Sequence, residues 1–145
     1  MTAILELKTI TAEIISDMNQ LMSQLGENPP LKIMDIQEII SSESSTIFLA
    51  VDRALDDRVV GMLTLAIYKT PTGTHSWIED VVVDTAYRRQ GIGERLTQAG
   101  IEKARNQGAK AVGLTSRPAR EAANRLYQRM GFIQRQTNLY RLPLK

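Results

Sequence analysis

Apolar residues recur along this chain with two different periods, and the changes between them mark its elements. From Thr11 onward, Ile14, Ile15, Met18, Leu21, Met22 and Leu25 return every three or four positions, the spacing of one helix face, until Gly26 and Pro29-Pro30 stop the pattern. Thr11 suits the N-cap, because a short hydroxyl can accept from an orphan amide of the first turn. Ile33, Ile36, Ile39 and Ile40 repeat the same period in a shorter second helix. Strand-like runs surround these helices: Ile4–Lys8, then Thr46–Val51 and Val59–Tyr68 as a hairpin joined through Asp56-Asp57, then His75–Asp84 after a loop at Pro71-Thr72-Gly73. Ile92, Leu96, Ala99, Gly100 and Ala104 define another helix face that ends near Gly108, and Ala111–Thr115 reads as the next strand. Pro118 suits the start of a last helix, whose stripe of Ala122, Ala123, Leu126, Tyr127 and Met130 closes at Gly131. The segment from Phe132 to Leu144 can supply a final hairpin.

Strand, two helices, three strands, helix, strand, helix and closing strands predict a mixed α/β sheet covered by helices. At 145 residues the chain suits one domain, taken as 1–145, with a real core and no room for a second. Its 43% hydrophobic content points to a globular chain rather than a disordered one. No apolar run reaches the roughly 18 residues of a membrane span, and the start lacks the basic-then-apolar pattern of a secretory signal, so the expectation is a cytoplasmic protein with no membrane partner. Cysteine is absent and His75 is the sole histidine, which argues against disulfides, a thiol nucleophile and a multi-histidine metal centre; no metal is expected.

Net charge is only +2, yet it is divided unevenly. Residues 1–84 carry 5 Lys/Arg against 13 Asp/Glu, whereas residues 85–145 carry 13 against 3. Such polarity suits a polyanionic ligand at one end and a cationic one at the other. Binding of nucleic acid through the basic half is the competing reading, but with 5% aromatic residues stacking platforms are scarce, and no nucleic-acid partner is expected.

The basic half begins at Tyr87-Arg88-Arg89-Gln90-Gly91-Ile92-Gly93-Glu94-Arg95-Leu96, directly after the apolar run Val81-Val82-Val83. A strand that ends in a basic, glycine-bearing turn and then opens a helix makes an anion site: the first helical amides lack intrahelical partners and the macrodipole favours negative charge there. Gly91 and Gly93 let backbone approach a ligand and adopt dihedrals closed to other residues. Arg88 and Arg89 add permanent positive charge. The third glycine of the dinucleotide fingerprint and the Gly-Lys-Ser/Thr of a P-loop are both missing. What remains, a strand followed by Arg-x-x-Gly-x-Gly and a helix, resembles the pyrophosphate-binding motif of the GNAT superfamily of acyl-CoA-dependent N-acetyltransferases. A second segment, Ala122 to Phe132, is similar to the superfamily's later helix, and the likeness extends over essentially the whole chain.

That resemblance implies a single GNAT domain with a mixed, mostly antiparallel central sheet, acetyl-CoA as co-substrate, and direct acetyl transfer to a primary amine in a ternary complex. The turn Arg88, Arg89, Gln90, Gly91, Ile92, Gly93 and Glu94 would hold the pyrophosphate. Backbone groups of Val81, Val82 and Val83 would pair with the pantetheine arm, entering a splay between this strand and Val112–Thr115. Glu79 would act as general base, with Asp80 as the alternative; strand alternation sends the two side chains to opposite faces. Tyr127, four residues before Gly131-Phe132, would protonate or stabilise the departing thiolate. A phenol suits that donor role, although a tyrosine on an apolar helix stripe also serves a core. One departure is plain: the asparagine that many members carry seven residues before this tyrosine is Arg120 here, and Asn124 is not equivalent to it.

The acceptor is a small-molecule or peptide amine, arriving near the two N-terminal helices and the Tyr68–His75 loop. The run Trp77 to Val83 is similar to the corresponding strand of glucosamine-phosphate N-acetyltransferases, while the acidic first half suits a cationic amine. A domain that binds acyl-CoA without turnover is the alternative to an enzyme. The alternation in Thr137–Leu142 suits a terminal strand able to pair with a second copy, a route to a homodimer.

Overall fold

The computed structural model describes residues 1–144. Residues Met1–Leu114 form one compact unit, and a second begins at Thr115.

In the first unit five strands lie in sequence order across one sheet: β1 (Thr2–Glu6), β2 (Ser45–Asp52), β3 (Arg58–Thr70), β4 (Gly73–Val83) and β5 (Val112–Gly113). The first three junctions are antiparallel and the β4–β5 junction is parallel, the mixed and mostly antiparallel sheet expected. β2 and β3 are joined as a hairpin, with a 3-10 turn at Arg53–Leu55 and with Asp56 and Asp57 at φ of 52° and 60°. Aspartate tolerates that left-handed region better than most residues, which is what the pair contributes to the turn.

Helix α1 (Ala12–Leu25) begins as expected, with Thr11 Oγ1 accepting from the Ile14 amide at 3.2 Å, and ends at Gly26, φ 154°. Its buried residues, Met18 and Leu21, join Ile36 of α2 (Ile33–Ser41) on one sheet face formed by Ile47, Leu49, Val51, Val59, Met62 and Val82. Burial of each such side chain favours folding by about 1.5–3 kcal/mol. Helix α3 (Ile92–Asn106) covers the other face, so close that a Cβ at Gly100 would lie 3.3 Å from Leu63 Cδ2. Thr97, fully buried on α3, satisfies its hydroxyl by donating to Gly93 O at 2.7 Å.

The second unit holds α4 (Glu121–Arg129). It starts three residues later than Pro118 suggests, because Pro118-Ala119 form a turn closed by the Arg120 amide on Arg117 O at 3.0 Å. The expected closing hairpin is not formed: residues 132–144 contain no strand, and Ile133, Leu139, Tyr140 and Leu142 are exposed. Alternation supplies a pleated pattern but not a partner edge, and a strand without one leaves its amides and carbonyls unpaired.

Candidate active site

The basic, glycine-bearing turn is built where β4 runs into α3. After Val83 the chain makes a 3-10 turn, Thr85–Tyr87, and then the basic loop. Arg89 and Gly91 both adopt left-handed backbone, at φ of 65° and 75°, whereas Gly93 is an ordinary helical residue. The need for unusual dihedrals therefore falls on Gly91 and, unexpectedly, on Arg89. Apart from Gly91 itself and its immediate chain neighbours, nothing lies within 4 Å of the point a Gly91 Cβ would occupy. The first backbone bond of α3 runs from the Arg95 amide to Gly91 O at 3.1 Å, so the amides of Gly91, Ile92 and Gly93 precede it, and no side chain caps the helix. Arg88 is exposed and its Nε donates to Val83 O at 3.4 Å, which leaves the rest of the guanidinium beside the turn.

Strand β4 carries the other expected residues of the first unit. Met62 pairs with Val82 and Thr64 with Glu79, so Asp80 and Val81 together stand opposite Leu63. This is a bulge, with Asp80 in left-handed backbone at φ 52°. It overturns the simple alternation expected of Glu79 and Asp80: both are exposed, and parity changes between them and Val82. Ile78 packs beneath α3 while Val82, four residues on, joins the cluster under α1 and α2. Val81 and Val83 are half-buried.

The outer edge of β4 is paired for only two residues. Ser76 matches Val112 and Trp77 matches Gly113, and among the described residues no strand continues that pairing from Ile78 to Val83. Gly113 is required at the junction, since a Cβ there would collide with Trp77 Cζ3. An edge of this kind suits an extended ligand that adds as a strand.

In the second unit Tyr127 is buried, 7% exposed, and sits edge-on to Phe132 with ring centroids 5.6 Å apart. The Tyr-x-x-x-Gly-Phe spacing has a local cause: Gly131, at φ 101°, turns the chain so that the Phe132 amide reaches Tyr127 O at 2.9 Å. Burial raises the phenol above its ordinary pKa, against a smaller opposing effect of the Arg120 charge, so it is a protonated donor at neutral pH. Asn124 spends its side-chain amide on Arg117 O at 2.9 Å, holding the loop that precedes α4. Ser116 Oγ is buried without a hydrogen-bond partner among the described residues, a polar atom that a ligand group could satisfy.

Three supports of the basic turn escape sequence reading. Gln24 Oε1 at the end of α1 accepts from the Thr85 amide at 3.1 Å, Asp84 Oδ1 accepts from the Ala86 amide at 3.0 Å, and the Tyr87 hydroxyl donates to Asp52 Oδ2 at 2.5 Å. Asp17 Oδ2 likewise anchors α1 to the Val59 amide at 3.0 Å. Two of these ties span 61 and 35 residues, and no local pattern announces them.

Residues 13–132 match the profile of the acetyltransferase (GNAT) family. Over 133 residues the chain is 30% identical to glucosamine 6-phosphate N-acetyltransferase of Trypanosoma brucei brucei, covering 88% of each protein. It is 34% identical over 98 residues to N-alpha-acetyltransferase 30 of Schizosaccharomyces pombe, a match to 67% of this chain that spans only 63% of that relative's length. Among solved structures, an acetyltransferase of Trypanosoma brucei superposes with a TM-score of 0.81 at 28% identity, covering 99% of both chains.

Proposed function

Since this chain belongs to the acetyltransferase (GNAT) family, we propose that it moves an acetyl group from acetyl-CoA to a primary amine by direct attack in a ternary complex. The observation that carries this reading is the uncapped start of α3, where Arg88 flanks the amides of Gly91, Ile92 and Gly93 at the end of a strand whose outer edge, among the described residues, has no partner strand beyond Trp77. The turn from Arg88 to Glu94 suits the donor's diphosphate, and the backbone of Val81, Val82 and Val83 suits its extended amide-bearing arm.

Each chemical demand has a candidate. A lysine-like amine, with an ordinary pKa of about 10.4, must lose a proton before its lone pair can attack. Glu79, an exposed carboxylate beside the β4 bulge, is proposed to take that proton directly or through a water. As nitrogen bonds to the thioester carbon, the C–S bond breaks and the thiolate leaves. Tyr127 is proposed to supply its proton, a role supported by a phenol that burial keeps protonated.

The relatives' names point to different acceptors, a sugar phosphate in one case and an N-terminal amine in the other. The acidic balance of residues 1–84 favours a cationic amine. An open hollow of about 580 Å³ at the end of α1, bordered by Met22, Glu27 and Pro29, is proposed as part of the acceptor's approach.

Calorimetric titration with CoA tests the donor, and no binding at millimolar concentration overturns the reading. Thiol release with a panel of amines, glucosamine 6-phosphate and free peptide N-termini included, tests turnover; binding without release identifies a non-catalytic acyl-CoA-binding domain. Glu79→Gln and Tyr127→Phe are each expected to lower kcat by about 100-fold with CoA affinity nearly unchanged. Full activity in both variants overturns the two assignments.

A further inference from the structure

Asp52 is a buried acid at the end of β2, 8% exposed, and both its carboxylate oxygens are engaged. Oδ1 accepts from the Ala54 amide at 3.0 Å and closes the turn between β2 and β3; Oδ2 accepts from the Tyr87 hydroxyl at 2.5 Å. Tyr87 is the last residue of the 3-10 turn, and its own amide donates to Asp84 O at 2.8 Å. The next residue is Arg88, and beyond it Arg89 and Gly91 enter left-handed backbone. Tyr87 is therefore the last fixed point before the anion turn. Gln24 and Asp84 hold the two residues before it, through the Thr85 and Ala86 amides.

We propose that Asp52 and Tyr87 are positioning residues for the acyl donor: their hydrogen bond fixes the entry to the Arg88–Gly91 turn so that its amides already face the diphosphate, which neither side chain touches. The inference rests on the reading of that turn as the donor's diphosphate site. Physically, a short hydrogen bond from phenol to carboxylate is among the stronger neutral-to-ion contacts, and here it ties segments 35 residues apart. Without it the turn must be ordered at the moment of binding, and the conformational entropy appears as lost affinity. The acetyl group reacts at the far end of the donor, so the chemical step should not register the loss.

The test compares two donors, acetyl-CoA and S-acetylpantetheine, which carries the thioester and lacks the diphosphate. In Tyr87→Phe the KM for acetyl-CoA and the Kd for CoA are expected to rise about 5- to 10-fold, with kcat within twofold of wild type and kcat/KM for S-acetylpantetheine unchanged. Asp52→Asn should act in the same direction but less, and the double variant should be no worse than the worse single one, because both remove one contact. Equal losses with both donors would mark a general structural role and overturn the inference, as would unchanged CoA affinity in variants whose melting temperatures match wild type. If Tyr87→Phe fails to fold, the milder Asp52→Asn carries the same comparison. A wild-type protein that does not bind CoA removes the diphosphate reading itself, whereas a wild type that binds and variants that bind equally well remove only this proposal.

Discussion

Helices α1 and α3 begin in opposite ways. At α1 the Thr11 hydroxyl folds back to accept from the Ile14 amide, so a donor of the helix start is satisfied from within. At α3 the cap is Gly91, which has no side chain to offer, and Arg89 and Arg88 lie two and three residues before it. The two helices are of similar length, 14 and 15 residues, and both bury an apolar face against the same sheet. What separates them is where the first-turn donors find an acceptor. A capped start has a donor already satisfied, and an uncapped start beside arginine leaves donors that suit an incoming anion.

Substitutions can break that contrast, the most severe at Gly91. A β-branched residue strongly resists φ of 75°, so Gly91→Val should reshape the turn and weaken CoA binding about 100-fold by calorimetry while circular dichroism retains the helices. Arg88→Ala leaves the amides in place and removes one charge; about tenfold weaker binding is expected, with a shallower dependence on salt. Thr11→Ala probes the other helix. It should cost about 1 kcal/mol, lower the melting temperature by roughly 3 °C and leave CoA affinity within twofold. Equal effects of the Thr11 and Gly91 changes on ligand binding would erase the distinction between the two helix starts.

A finer prediction concerns pH. The Tyr87 hydroxyl first, and the Ala54 amide second, hold the Asp52 carboxyl below the usual carboxylate range, while the same bond raises the Tyr87 phenol. A depressed acid contributes stability that is present above its unfolded pKa of about 4 and is lost as pH falls through the lower folded value. A raised phenol contributes below about pH 10 and ceases to do so as pH rises through the higher folded value. The stabilising effect of Asp52 over Asp52→Asn, read as a difference in urea midpoint, should therefore hold between about pH 5 and 9 and shrink in stronger acid. A difference that grows towards pH 2 would contradict the coupling.

Much of this was legible in the sequence because it is local. The Thr11 cap, the Asp56-Asp57 turn and the strand-to-helix turn at Gly91 each depend on residues within a few positions of one another. Pro118 misled because a proline that suits a first helical turn suits a β-turn equally, and the Arg120 amide closes one here. The Asp80 bulge had no sequence signal beyond an acid in an apolar run, since one extra residue in a strand is set by its partner's register. The strand expected at Ala111–Thr115 shrinks to Val112–Gly113, and its place beside β4 is marked by a glycine whose absent Cβ makes room for the Trp77 ring. The brace from Asp52 to Tyr87 depends on β2 and the turn after β4 being brought together, which only the folded chain accomplishes.

A strand is read by its neighbours as odd and even positions, and the extra residue at Asp80 makes β4 change columns in mid-strand. Ile78 answers to α3; Val82, also even-numbered, answers to α1 and α2. Removing the extra residue would let Glu79 and Val82 keep Thr64 and Met62 as partners on a regular ladder, with no side chain changing face. The bulge is thus an insertion that the sheet absorbs at one point, and its consequence is confined to Asp80 and Val81, the pair that shares Leu63 as partner.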